Sequence, residues 1–213
     1  MTSFLGQTLT AFLDQAAARQ PAPGGGSAAA LTVALAAGLT AMAARFSAAQ
    51  VGDSEELAIQ ADQLRHRAAA LVDEDARAYQ AVLDTRRGRG VGSSTAREAV
   101  QHAAIVPLQI CELAGQTATL AARLATDGNP NLRGDAITAA LLAEAAARSA
   151  ASLVRINIAA GASDVGLSPR AARRVPGRRR SARAEASHGR HQHEPPLKQP
   201  GGARAPRCSQ STR

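Results

Sequence analysis

The sequence predicts an all-α fold, a mostly up-and-down bundle of five or six helices with a disordered basic tail. Three observations carry this. Alanine and leucine, both strong helix formers, dominate residues 1–168, and no β-rich alternating segment interrupts them. Apolar residues recur there at steps of three and four. Dense clusters of glycine, proline, asparagine and aspartate separate the periodic runs. Aromatics make up only 2% of the chain, so its core must be built by close packing of small side chains.

Residues 3–19 place Phe4, Leu5, Leu9, Phe12, Leu13 and Ala16 on one face, which predicts a first amphipathic helix stopped by Pro21. Pro21-Ala22-Pro23-Gly24-Gly25-Gly26-Ser27 follows. The prolines favour an extended approach, and the glycines let a ligand or a second backbone come close. Ser27 is a candidate N-cap for a helix over about 28–48, whose free N–H groups would form an anion site. A tight helix–helix connection is the plainer reading of the same residues. The second helix is apolar nearly all round, with Ala30, Ala34, Gly38 and Met42 in register. Such a helix belongs at the centre of a bundle or at a dimer interface. Its few strong hydrophobes argue against a membrane span.

Gly52-Asp53-Ser54 starts a third helix with Glu55 and Glu56 in its first turn. Its apolar stripe runs Leu57, Ala61, Leu64, Ala68, Leu71, Tyr79 and Val82, and Asp75 falls on that stripe. An inward acid must be paired, for example with Arg77 or Arg97, or else held neutral for use. Residues 86–94 read as a loop. A helix over 95–126 follows, with Pro107 expected to bend or break it. His102 carries no assignment. Asn129-Pro130-Asn131 and Gly134-Asp135 then end one helix and open another, which runs to about Ala160 with Asp135 as its cap. Asn157 lies near the inner face of that helix and needs partners for its amide.

The net charge of +8 belongs to the tail. Residues 1–168 hold 13 Lys and Arg against 15 Asp and Glu, while residues 169–213 hold 12 against 2. The chain therefore divides into a helical domain, 1–168, and an Arg/Pro/Gly-rich tail, 169–213, too polar to bury a core. His191 and His193 lie in it without a fixed ligand set around them. The tail also lacks the interleaved aromatics of a single-strand nucleic-acid surface. Two cysteines, Cys111 and Cys208, suggest no disulfide framework, and no signal peptide is visible, so a cytoplasmic location is expected.

Four stretches taken together resemble the cyclodeaminase/cyclohydrolase family of folate enzymes. They are Pro21-Ala22-Pro23-Gly24-Gly25-Gly26-Ser27, then Asp75-Ala76-Arg77-Ala78-Tyr79, then Arg97 with Val106-Pro107, and last Asn129 to Asp135 with Ile156-Asn157-Ile158. The resemblance spans roughly residues 4–167. It departs where many relatives carry a Gly-Lys…Tyr segment, at Arg45 to Gly52. It departs again at Leu153, where relatives often have Asn. After Ser168 relatives continue into a further helix and this chain does not, a change that a shifted reading frame would produce.

The resemblance implies chemistry at a folate amidine carbon, with a tetrahydrofolate derivative as substrate and no metal or redox cofactor. It implies methenyltetrahydrofolate cyclohydrolase or formiminotetrahydrofolate cyclodeaminase activity. Asp75 and Asp135 are the expected catalytic acids, facing one cleft. Gly24, Gly25, Gly26, Ser27, Asn131 and Asn157 are the expected substrate contacts. A homodimer is expected from the small-residue helix. Two other functions fit parts of the chain: a family member without activity, serving as a folate-binding or structural bundle, and a tail that binds nucleic acid.

Overall fold

The computed structural model describes residues 3–88 and 93–159. The tail and its residues Cys208, His191 and His193 lie outside that set. The described residues form five α-helices and two 3-10 turns, with no strand among them. The helices are α1 (Leu9–Ala17), α2 (Gly25–Arg45), α3 (Ser54–Arg86), α4 (Ser93–Asp127) and α5 (Arg133–Ala159).

The predicted single helix over 3–19 is instead a 3-10 turn, Phe4–Gly6, followed by α1. Local capping explains the break. The Ser3 side chain accepts from the Leu5 N–H, and the Thr8 hydroxyl accepts from the Ala11 N–H at 3.2 Å, so each segment starts on its own cap. Phe4 and Phe12 meet edge to face at 5.9 Å, and the Phe4 N–H donates to Asp73 Oδ1 at 2.8 Å, tying this segment to α3.

The four long helices run alternately up and down. Ser27 of α2 meets Asp75 of α3, Glu74 of α3 meets His102 of α4, and Ala103 of α4 meets Asn157 of α5. Gly25 lies beside Leu153, so α5 returns antiparallel to α2. α2 packs against α3, α4 and α5, which explains why a helix without charge from Gly25 to Ala44 is stable here. By length and composition α2 and α5 could cross a membrane, and α2 owes its apolarity to its place in the core.

One buried cluster joins Phe4, Phe12, Val33, Val72, Ile110 and Leu113. A second joins Ala43, Val51, Leu57, Leu124 and Ala136 at the other end of the bundle. Buried hydroxyls are satisfied locally: Thr40, Ser47 and Thr117 donate to the carbonyls of Ala36, Ala43 and Leu113. At the α4–α5 corner Asn129 donates to the Phe46 carbonyl, and its own N–H donates to Ser47 Oγ, both at 2.9 Å. A Cβ on Gly128 would meet Ser47 Oγ at 2.9 Å, so the corner needs glycine. Several large apolar side chains face outward, among them Leu35 and Phe46 on or beside α2 and Ile137 and Leu141 on α5.

Candidate active site

A cleft of about 400 Å³ opens at the end of the bundle where α2 starts and α5 finishes. The approach to α2 supplies Gln20, Pro21, Ala22 and Gly24, and α2 itself supplies Gly25 and Gly26. Asp75, Ala76, Ala78 and Tyr79 come from α3, Ala103 from α4, and Leu153, Ile156 and Asn157 from α5. Asp75 is the only carboxylate among these lining residues.

Asp75 is held by α2. The Ser27 N–H donates to its Oδ2 at 2.8 Å, and Ser27 Oγ lies 3.1 Å from the same oxygen and 2.9 Å from the Val72 carbonyl. The carboxylate rests directly on Gly26, where a Cβ would come within 2.7 Å of Oδ2 and closer still to Cγ and Oδ1. Glycine at 26 is therefore a steric requirement of the acid. Burial pushes the Asp75 carboxyl above the usual carboxylate range, and the two Ser27 bonds oppose that rise without cancelling it. Arg77 pairs with Glu74, and among the described residues no cation reaches Asp75. The side chain of Arg97 lies outside the described set.

Several expectations are corrected by this geometry. Ser27 is not the N-cap of α2, and its N–H and hydroxyl are turned to Asp75 and the Val72 carbonyl. Gly24 holds the cap position without a side-chain bond, and Ser27 is fully buried with both its donors engaged. One of the free N–H groups at the start of α2, that of Ser27, is taken by the chain's own Asp75.

Asp135 lies in the first turn of α5, where its charge suits the helix dipole. It is not the cap, because the turn Pro130–Leu132 leads straight into Arg133. Asp135 and Asn157 stand at opposite ends of α5, about 33 Å apart along its axis at ~1.5 Å per residue. Within one subunit, then, the two acids do not share a cleft. Asn131 is exposed at the same far end, with its N–H bonded to Asn129 Oδ1 at 3.0 Å. Gly24, Gly25, Gly26, Asp75 and Asn157 do converge, and Pro107 leaves α4 continuous.

The sequence reading passed over Gln20, Tyr79 and Ile156 as site residues. Tyr79 stands four residues after Asp75, on the same face of α3, and that spacing was the available signal. Among the described residues no group of three His, Cys, Asp or Glu side chains is placed to hold a metal ion.

The family model described as formiminotransferase-cyclodeaminase matches residues 8–165. The chain belongs to that family. The cyclodeaminase family match covers α1 to α5 and hence every lining residue of the cleft. A methenyltetrahydrofolate cyclohydrolase from Methylorubrum extorquens is 31% identical over 167 residues, covering 71% of this chain and 79% of that one. The crystal structure of a formiminotetrahydrofolate cyclodeaminase from Thermotoga maritima superposes with a TM-score of 0.69 at 26% identity, over 76% of this chain and 83% of the other. Family membership and the helical-bundle architecture thus agree.

Proposed function

We propose that the cleft is a folate one-carbon site working as a methenyltetrahydrofolate cyclohydrolase or formiminotetrahydrofolate cyclodeaminase. The observation that carries the mechanism is Asp75: one carboxylate in a partly dry cleft, its pKa raised, with Oδ2 committed to Ser27. Oδ1 is left as the oxygen that takes and returns a proton. A base near its own pKa is suited to this work.

In the hydrolytic direction water adds to the methenyl carbon and gives its proton to Asp75. The tetrahedral carbon then releases one of its two nitrogens, Asp75 returns the proton to that nitrogen, and the hydroxyl proton leaves to solvent as the ring opens to the 10-formyl product. In the deaminating direction the second folate nitrogen attacks the formimino carbon, and ammonia leaves after protonation. The methenyl bridge is a cation, and a carboxylate in the cleft complements it. The glycines beside it let the flat ring approach the backbone.

Two copies complete this reading. Leu35 is 58% exposed, Phe46 62% and Leu141 60%, on two antiparallel neighbours. Two helices of this length present a face roughly 30 Å by 20 Å, on the order of the ~800 Å² per partner that a standard dimer uses. A two-fold axis crossing α5 near its middle would bring the Asp135 end of one subunit beside the Asn157 end of the other. By that route Asp135 returns to a cleft. We assign the protein to the cytoplasm, with Cys111 a free thiol whose pKa burial raises. The test is spectrophotometric: full-length protein should discharge the absorbance of methenyltetrahydrofolate or generate it from the formimino compound. A folded protein that binds folate and does neither would be the non-catalytic member of the family.

A further inference from the structure

Pro107 stands inside α4 and is fully buried. Proline has no N–H, so the carbonyl four residues earlier, that of Ala103, is left without its helical donor. Ala103 lines the cleft. Its carbonyl is claimed from across the bundle by Asn157, which donates through Nδ2. That bond uses the donor half of the Asn157 amide and so decides which way the amide faces. Among the described residues Oδ1 has no protein partner and no unpartnered side-chain oxygen is buried, so Oδ1 is open to the cleft that Asn157 lines.

We propose that Pro107 is a positioning residue: by orphaning the Ala103 carbonyl it locks Asn157 with Oδ1 toward the cleft, where it accepts from an N–H of the substrate. The inference rests on the folate reading for the identity of that substrate. It adds that the pterin presents an amino or ring N–H edge, a donor, to the α5 wall. A substrate carbonyl turned to the same wall would face an acceptor and gain nothing.

The test compares the full-length protein with Pro107→Ala, Asn157→Ala and the double variant, using methenyltetrahydrofolate. Asn157→Ala should raise KM about five- to tenfold with kcat near wild type, as for one neutral hydrogen bond lost equally from ground and transition states. Pro107→Ala returns an N–H to Ala103 and frees the amide, so KM should rise about threefold. The double variant should be no worse than Asn157→Ala alone. Pro107→Ser, which also restores the N–H, replaces Pro107→Ala should the latter not fold.

Melting curves on the same proteins give a second readout. Asn157→Ala should lower the melting temperature by roughly 4 °C in the Pro107 protein and by less than half of that in the Pro107→Ala background. Independent, additive effects on KM and melting would overturn the proposal, as would an unchanged KM in Asn157→Ala. Should the wild-type protein neither consume methenyltetrahydrofolate nor form it from the formimino compound, the folate reading fails. The melting cycle alone then decides whether Pro107 positions Asn157.

Discussion

Gly26→Ala tests the packing of the acid on the start of α2, and two effects of opposite sign compete in it. Alanine is favoured over glycine in a helix by up to ~1 kcal/mol. Against this, the new methyl group would stand 2.7 Å from Asp75 Oδ2 and closer to Cγ and Oδ1, well inside an ordinary contact of about 3.4 Å. The carboxylate would have to retreat by roughly 1 Å or more, and its bonds to Ser27 N and Oγ, now 2.8 and 3.1 Å, would both be lost. Overpacking costs ~1–3 kcal/mol, and each hydrogen bond to an ionised group is worth about 1.5–3 kcal/mol. Retreat relieves the clash but loses both bonds, about 3–6 kcal/mol together, so the net loss is about 2–5 kcal/mol after the helix preference is credited.

The assay is urea unfolding followed by circular dichroism, with two controls. Gly25→Ala meets only Leu153 methyls at 3.9 Å and should be neutral or slightly stabilising. In an Asp75→Ala background the carboxylate is gone, so Gly26→Ala should lose most of its penalty. A Gly26→Ala protein as stable as Gly25→Ala, or an undiminished penalty without Asp75, would refute the packing.

Two further predictions follow from the same site. The Asp75 pKa is raised by folding, so the fold favours the protonated acid. Its contribution to stability is fully present below the unfolded value of 3.8 and is lost as pH rises through the folded pKa. Asp75→Asn cannot ionise, so stability measured against pH should show wild type losing ground to the variant across that interval; parallel curves would contradict the assignment. If Asp135 acts in the partner's cleft, Asp75→Asn and Asp135→Asn proteins are each nearly inactive, yet mixing and reassociating them restores about a quarter of wild-type activity. Random pairing makes half the dimers mixed, with one intact site in two. No recovery, or an Asp135→Asn protein of full activity, confines Asp135 to the helix dipole.

The helices were legible because each rests on local information: apolar spacing, and turn residues at Gly52-Asp53 and Asn129-Pro130. The break at Thr8 was not, because the apolar spacing of residues 3–19 continues unbroken through the cap. Asp75 was legible as an acid on an apolar stripe, and the sequence left open whether a cation met it. Among the described residues its partner is Ser27, 48 positions away in the chain, which no spacing rule reaches. Ser27 and Asn157 show the same limit from the other side. Both were visible as polar residues near the site, but what each donates to depends on how α2 lies on α3 and α5 on α4. Asp135 was placed in the Asp75 cleft by the family resemblance, its neighbours in the chain suggesting only a cap, whereas the length of α5 carries it to the far end of the subunit.

The account stands on Asp75 as the proton carrier of a folate cleft. The direct measurement is the rate of change of methenyltetrahydrofolate absorbance, its loss by hydrolysis or its formation from the formimino compound, for the wild-type protein and for Asp75→Asn, each shown to be folded. The account predicts turnover by the first and a rate at least ~100-fold lower for the second, the lower bound for a general acid–base group. Equal rates from the two proteins would contradict it.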